Sequence, residues 1–214
     1  MLLFSLALLL VGTGTSTPIV NYSQQPAIQV TVPDVPFYSQ FADITSAKWQ
    51  KVGCGVASLA MVVDYYKPAV SVDTLLKEGI ASGAYLKNAG WTYKGLIQLS
   101  TKYGLAGDSY DLGKLSTKVA FAKFIAQLED GPVIASVHYK FDPKSTIPHL
   151  VVIDGIKDGV LYYNDPAAKT GQKQISTADF LKAWKKRFIV IRPAETTKST
   201  LSFLPVSTPQ LLSL

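Results

Sequence analysis

A single cysteine, Cys54, lies in the stretch VGCGVASLAMVVDYY, with a glycine on each side and an apolar run directly after it. The flanking glycines let the backbone turn sharply and let a second molecule approach the sulfur closely. Apolar residues recur at helical spacing through Val56, Leu59, Ala60 and Val63, and Pro68 breaks the pattern just beyond Tyr66. This predicts a helix starting at or just after the cysteine. Unpaired N–H groups and the positive dipole end of such a helix stabilise a thiolate, the nucleophilic form of the side chain. A cysteine that merely fills space needs none of this and belongs mid-helix on the apolar stripe. The setting points to nucleophilic catalysis.

A thiolate nucleophile needs a base, and the base needs an orienter. The chain has two histidines. His138 lies inside the alternating run VIASVHYKF, where an ordinary half-exposed strand residue accounts for it. His149 follows Pro148 and opens HLVVIDGI, so it stands at a strand mouth with a rigid sheet behind it, and we assign the base there. The next strand, VLYYND, ends in the NDP of residues 164–166. If the KDG turn joins these two runs as a hairpin, Asp165 falls level with the start of the His149 strand. A carboxylate there accepts from the imidazole and fixes its tautomer. Asn164 is the rival, but neighbouring strand residues face opposite sides, so only one of the two reaches. Asp154 is too far down the strand. Gln40, closing VPFYSQ, offers a side-chain N–H to an oxyanion, with the Cys54 backbone N–H as its partner. One cysteine and two distant histidines form no ligand set, so neither a metal nor another cofactor is expected.

The elements around these residues follow from local signals. Residues 31–193 form one domain, extended and proline-marked at first, then a loop through FADITSAKWQKVGCG, then the cysteine helix. Ser71 caps a short helix over VDTLLKEG that Gly79 ends. GLIQLSTKYG and STKVAFAKFIAQLEDG are two further helices. PVIASVHYKF, HLVVIDGI, VLYYND and RFIVIRP read as strands, and ISTADFLKAW as a helix with a capping box. Helices mostly precede strands, which predicts an α+β domain with a mostly antiparallel sheet.

Composition sets the frame. Apolar residues make up 48% and charged residues 17% of 214 positions, as in a globular chain with one sizeable core. The opening MLLFSLALLLVG has the length and character of a secretory signal's apolar core, although no Lys or Arg precedes it. Residues 1–18 are therefore expected to be a signal peptide or membrane anchor, residues 19–30 a linker and residues 194–214 a loose Ser/Thr/Pro-rich tail. The protein is expected to be secreted or membrane-anchored and extracytoplasmic. A lone cysteine excludes an internal disulfide. The net charge of +6 comes from scattered lysines, with one dense cluster, KAWKKR, near the end of a helix. This fits a solvated basic face near a cell wall or membrane surface, and no nucleic-acid partner is expected.

The run VPFYSQ, then KWQKVGCGVASLAMVVDYY, then HLVVIDGI, then NDPAAKTGQKQIS and DFLKAW resembles the bacteriocin-processing, double-glycine leader peptidase-like family of cysteine peptidases. The resemblance covers about residues 32–192, in order. It implies a papain-like fold, with the cysteine on an N-terminal helical part and the histidine and aspartate on a C-terminal sheet. By the same resemblance Gln40 is the oxyanion-hole residue, Cys54 the nucleophile, His149 the base and Asp165 the orienter. Two features depart from the pattern. The best-understood members are fused to membrane ATP-driven exporters, whereas no Walker-type glycine loop or transmembrane bundle occurs here. Val56 also stands where those proteins often carry proline. The expectation is a monomeric thiol peptidase that hydrolyses peptide or amide bonds through a thioester acyl-enzyme. A thiol acyltransferase on the same site, or a non-enzymatic peptide- or cell-wall-binding module, are the alternatives. Tyr85, Trp91 and Tyr93 are candidates to line the cleft, or equally to serve as packing.

Overall fold

A computed structural model describes residues 28–67, 70–87 and 90–194. The signal-peptide expectation, most of the linker and all but the first residue of the tail lie outside the described residues. Val30, the last residue of the expected linker, is buried and exchanges backbone hydrogen bonds with Ile156.

The helices are α1 (Ala47–Gln50), α2 (Cys54–Tyr66), α3 (Val72–Ala81), α4 (Tyr93–Ser100), α5 (Thr117–Leu128) and α6 (Thr177–Ala183). A two-stranded ribbon pairs β1 (Tyr85–Leu86) with β2 (Gly90–Trp91). The main sheet contains β3 (Leu105–Asp111), β4 (Val133–His138), β5 (Pro148–Lys157), β6 (Val160–Asn164), β7 (Lys173–Ser176) and β8 (Trp184–Pro193). Its order is β3-β8-β4-β5-β6-β7, antiparallel throughout. This is the α+β arrangement expected, with the cysteine helix on the sheet that carries His149.

Alternation along the strands divides the core. Ile134, Leu150, Val152 and Ile189 face α2, α3 and α4 on one side. Val133, Ala135, Val151, Ile153 and Phe188 face the Phe121, Phe124 and Phe180 cluster of α5 and α6 on the other. Both faces of the central strands are thus apolar, so β4 and β5 read as continuous hydrophobic runs. Helix α2 is buried from Gly55 to Val63, wedged between the sheet and its fellow helices. Each of its large side chains contributes about 1.5–3 kcal/mol by leaving water. The buried Ser58 hydroxyl donates to the Leu150 carbonyl at 3.2 Å, which pins α2 to β5 one residue from His149.

Local signals mark several element ends. Ser71, Ser116 and Ser176 each accept a backbone N–H in the first turn of α3, α5 and α6. Asp158 (φ 52°) and Gly159 (φ 76°) form the tight β5–β6 turn, both in the left-handed region that a two-residue hairpin of this kind needs. Other expectations need correction. Gly79 does not end α3, which continues to Ala81; a Cβ there would come within 2.6 Å of the Trp91 ring, so the glycine is a packing residue. The KAWKKR cluster spans the end of α6 and the start of β8, so Lys185, Lys186 and Arg187 lie on a strand. The sequence pattern missed β3 and β7, two strands with mixed polarity.

Candidate active site

Cys54 is the first residue of α2, half-buried, with Gly53 at the N-cap. Gly53 has φ −81°, which any residue adopts, so backbone freedom does not explain it. Space does. A Cβ on Gly53 would collide with Ile44 and come within 3.2 Å of the Trp49 carbonyl. A Cβ on Gly55 would sit 2.7 Å from the Trp91 side chain. Both glycines let the protein's own groups close tightly around the cysteine.

His149 is 4% exposed and meets the edge of Tyr139 at a ring distance of 5.3 Å. Its Nε2–H donates to Asp165 Oδ1 at 2.6 Å, and the ring also shares a hydrogen bond with Cys54. Burial works against the imidazolium, but the bonds to Asp165 and Cys54, and their charges, outweigh it. The pKa rises from 6.5 to about 9. Asp165 is held in place in turn: Oδ1 also accepts from the Ala167 N–H at 2.8 Å.

The pairing of Asp165 with His149 depends on a bulge. From the turn outward, Lys157 pairs with Val160, Ile156 with Leu161 and Gly155 with Tyr162; then Ile153 pairs with Tyr163, leaving Asp154 as an extra residue. Continued past the Val152–Asn164 pair, this register sets Asp165 opposite Val151, on the side of the sheet that His149 shares. Without the extra residue Asn164 would take that side. Instead Asn164 points the other way, donating to Asp154 Oδ2 at 3.0 Å and the Val35 carbonyl at 3.3 Å, and accepting from the Gln172 N–H at 2.8 Å. Gly155, next to the bulge, lets the Thr31–Val32 segment cross closely, since a Cβ there would strike Thr31 and lie 2.9 Å from Val32 Cα.

Gln40 packs beside Gly53. Its Nε2 donates to the Gln50 carbonyl at 2.6 Å, while Oε1 is buried without a partner. The Gln50 bond orients the amide and leaves its second N–H unclaimed. The Gln40 N–H donates to the Pro166 carbonyl at 2.8 Å and Ser39 Oγ to the Ala168 carbonyl at 3.1 Å, which ties this segment to the Asp165 loop. His138 takes no part: its Nδ1 faces the Ser145 carbonyl at 2.5 Å and anchors the loop before β5.

Cys54 and His149 open into a cleft of about 500 Å³. Tyr85, Trp91 and Tyr93 all line it, and they also pack: Trp91 Nε1 donates to the Val52 carbonyl at 2.7 Å, and Tyr85 meets Trp49 and Trp91 edge-on. Both sequence readings of these aromatics hold. Sequence reasoning missed Ser136, which hydrogen-bonds Tyr93, and Ile147, which is 58% exposed at the rim. Ser136 lies across from Leu150, a pairing visible only once β4 and β5 are aligned.

This fold and this site define a papain-like cysteine peptidase. The sequence profile of the Peptidase_C39 like family matches residues 32–189, and the chain belongs to that family. It is 28% identical over 166 residues to the mesentericin-Y105 transport/processing ATP-binding protein MesD of Leuconostoc mesenteroides. That match takes in 74% of this chain but 21% of the relative, so the chain spans about a fifth of that protein's length. A solved double glycine motif protease from an AMS/PCAT transporter, in complex with the leader peptide, is 26% identical with a TM-score of 0.54. The match covers 78% of this chain and 99% of that one. The peptidase domain of Streptococcus ComA shares the fold at 22% identity and a TM-score of 0.52, over 67% of this chain and 93% of the domain.

Proposed function

We propose that the protein hydrolyses peptide bonds through a thioester formed on Cys54, with His149 as acid and base, Asp165 as orienter and Gln40 as oxyanion donor. One observation carries this reading: a buried imidazole bonded at once to the single cysteine and to a carboxylate, at the end of an apolar cleft. The Cys54 sulfur attacks the scissile carbonyl carbon and the C=O pair moves onto oxygen. The free N–H of Gln40 and the Cys54 backbone N–H, which has no partner in the first turn of α2, receive that charge. Collapse expels the amine, which takes its proton from His149 and leaves the thioester. His149 then removes a proton from water, whose oxygen displaces the sulfur and releases the acid. Asp165 stabilises the imidazolium in both halves.

A peptide is the substrate class we assign, since the related transporter protease was solved with a leader peptide. Profiling against a peptide library, with Cys54→Ala as the blank, tests the assignment. Cleavage by the wild type alone supports it. Amide formation with an added amine nucleophile in preference to hydrolysis would make the protein an acyltransferase, and an inert thiol towards iodoacetamide would make it a binding module. We further propose a secreted or membrane-tethered monomer working near a wall or membrane surface. The apolar run at residues 2–11 and the net charge of +6 support this, and N-terminal sequencing of the exported protein checks it.

A further inference from the structure

The proposed chemistry does not use the opposite face of the β5–β6 bulge, which encloses a hollow of about 260 Å³. The bulged residue Asp154 lines it and is 2% exposed. Oδ2 accepts from Asn164, but Oδ1 is buried with no partner at all. A carboxylate oxygen so placed is strongly disfavoured unless something positive meets it. Asp34 adds a second carboxylate to the lining, and Tyr162, Gln172 and Gln174 supply further polar groups. Gln172 is held with φ 52°, its N–H on Asn164 and its Nε2 on Asp34 Oδ1 at 2.9 Å, so the backbone is bent to wrap this space. Among the described residues no Lys or Arg lines the hollow, although the chain carries 21 of them. Two carboxylates without a counter-charge, one of them sealed in, are what a cation site needs.

We propose that this hollow binds a hydrated divalent cation of the calcium class, with Asp154 and Asp34 as its carboxylate ligands. The chemistry of the donors selects the ion. No sulfur or imidazole nitrogen is at hand for zinc, whereas oxygen donors at a roomy, irregular site suit calcium. Among the described residues no three His, Cys, Asp or Glu side chains gather, so the ion keeps several waters, and the volume accommodates them. With so few charged ligands the affinity belongs at the weak end of calcium sites, about 10⁻⁴–10⁻³ M. Bound there, the ion clamps the Asp34 segment to the hairpin whose next residue is Asp165.

Thermal unfolding of the Cys54→Ala protein tests the site without reference to catalysis. Millimolar calcium chloride, compared with sodium chloride of equal ionic strength, is expected to raise Tm by about 5 °C. Magnesium, which sheds water reluctantly, is expected to do less. Asp154→Asn should abolish the increment, and Asp34→Asn, a change at an exposed residue, should abolish or halve it. No increment in the parent protein overturns the proposal. So does an increment that survives undiminished in Asp34→Asn, which also decides the matter should Asp154→Asn fail to fold. An equal rise with n-butylammonium chloride would overturn it in favour of an amine site.

Discussion

Asp165 and Asp154 belong to one hairpin, one on each face, and the fold treats them in opposite ways. Asp165 is partly exposed and its carboxylate is met by an imidazole N–H and a backbone N–H. Asp154 is sealed under the N-terminal segment with one oxygen unpartnered and its pKa raised, chiefly by burial, to about 8. The difference comes from the single extra residue at Asp154, which turns Asp165 toward His149 and Asn164 away from it. A carboxylate's chemistry here is decided by which face the register assigns it.

The largest effect is expected at the partner of Asp165. His149→Ala should lower kcat/KM by about 10²–10⁴-fold, the usual weight of a positioned acid and base. His138→Ala, on the neighbouring strand with its ring on a loop carbonyl, should stay within a few-fold. If His138 is the essential one, the comparison collapses together with the role of Asp165. Next comes Asp165 itself. Asp165→Ala should cost more turnover than Asp165→Asn, whose oxygen still accepts but carries no charge. With His149 protonated up to about 9, kcat/KM should fall as pH rises through that value. Asp165→Asn should move this alkaline limb to lower pH, since the carboxylate raises the imidazole pKa. An unmoved limb would mean that Asp165 does not bear on the titration of His149.

Asn164→Ala should act on stability, by about 1–3 kcal/mol in a denaturant titration, because three polar partners lose their bonds. Turnover should change less than in Asp165→Ala. A crippled Asn164→Ala with a tolerant Asp165→Ala would place the register one residue off. The smallest effect is a slope. A carboxyl raised from 3.8 to about 8 contributes stability that is fully present below 3.8 and is lost as pH rises through 8. Raised from 6.5 to about 9, His149 contributes stability lost as pH rises through 9. In calcium-free buffer Asp154→Asn should therefore flatten the decline of Tm towards pH 8 and leave the decline near pH 9.

The sequence by itself determined what neighbours along the chain decide. The start of α2 at Cys54, the Asp158–Gly159 turn and the serine caps each rest on residues within about four positions of one another. Hydrophobic spacing likewise marked the central strands, which are apolar on both faces. Only the tertiary structure decided what depends on distant partners. Strands β3 and β7 are of mixed polarity because they flank the sheet, and they exist by pairing with β8 and β6. Gly79 is small because Trp91, twelve residues later, lies against it. The bulge at Asp154 leaves no local signature beyond a glycine, because the Thr31–Val32 segment crossing over Gly155 is far away in sequence. Yet that one residue selects Asp165 over Asn164. Local rules name the candidates for chemistry; the choice among neighbours on a strand is made by register, and register belongs to the whole sheet.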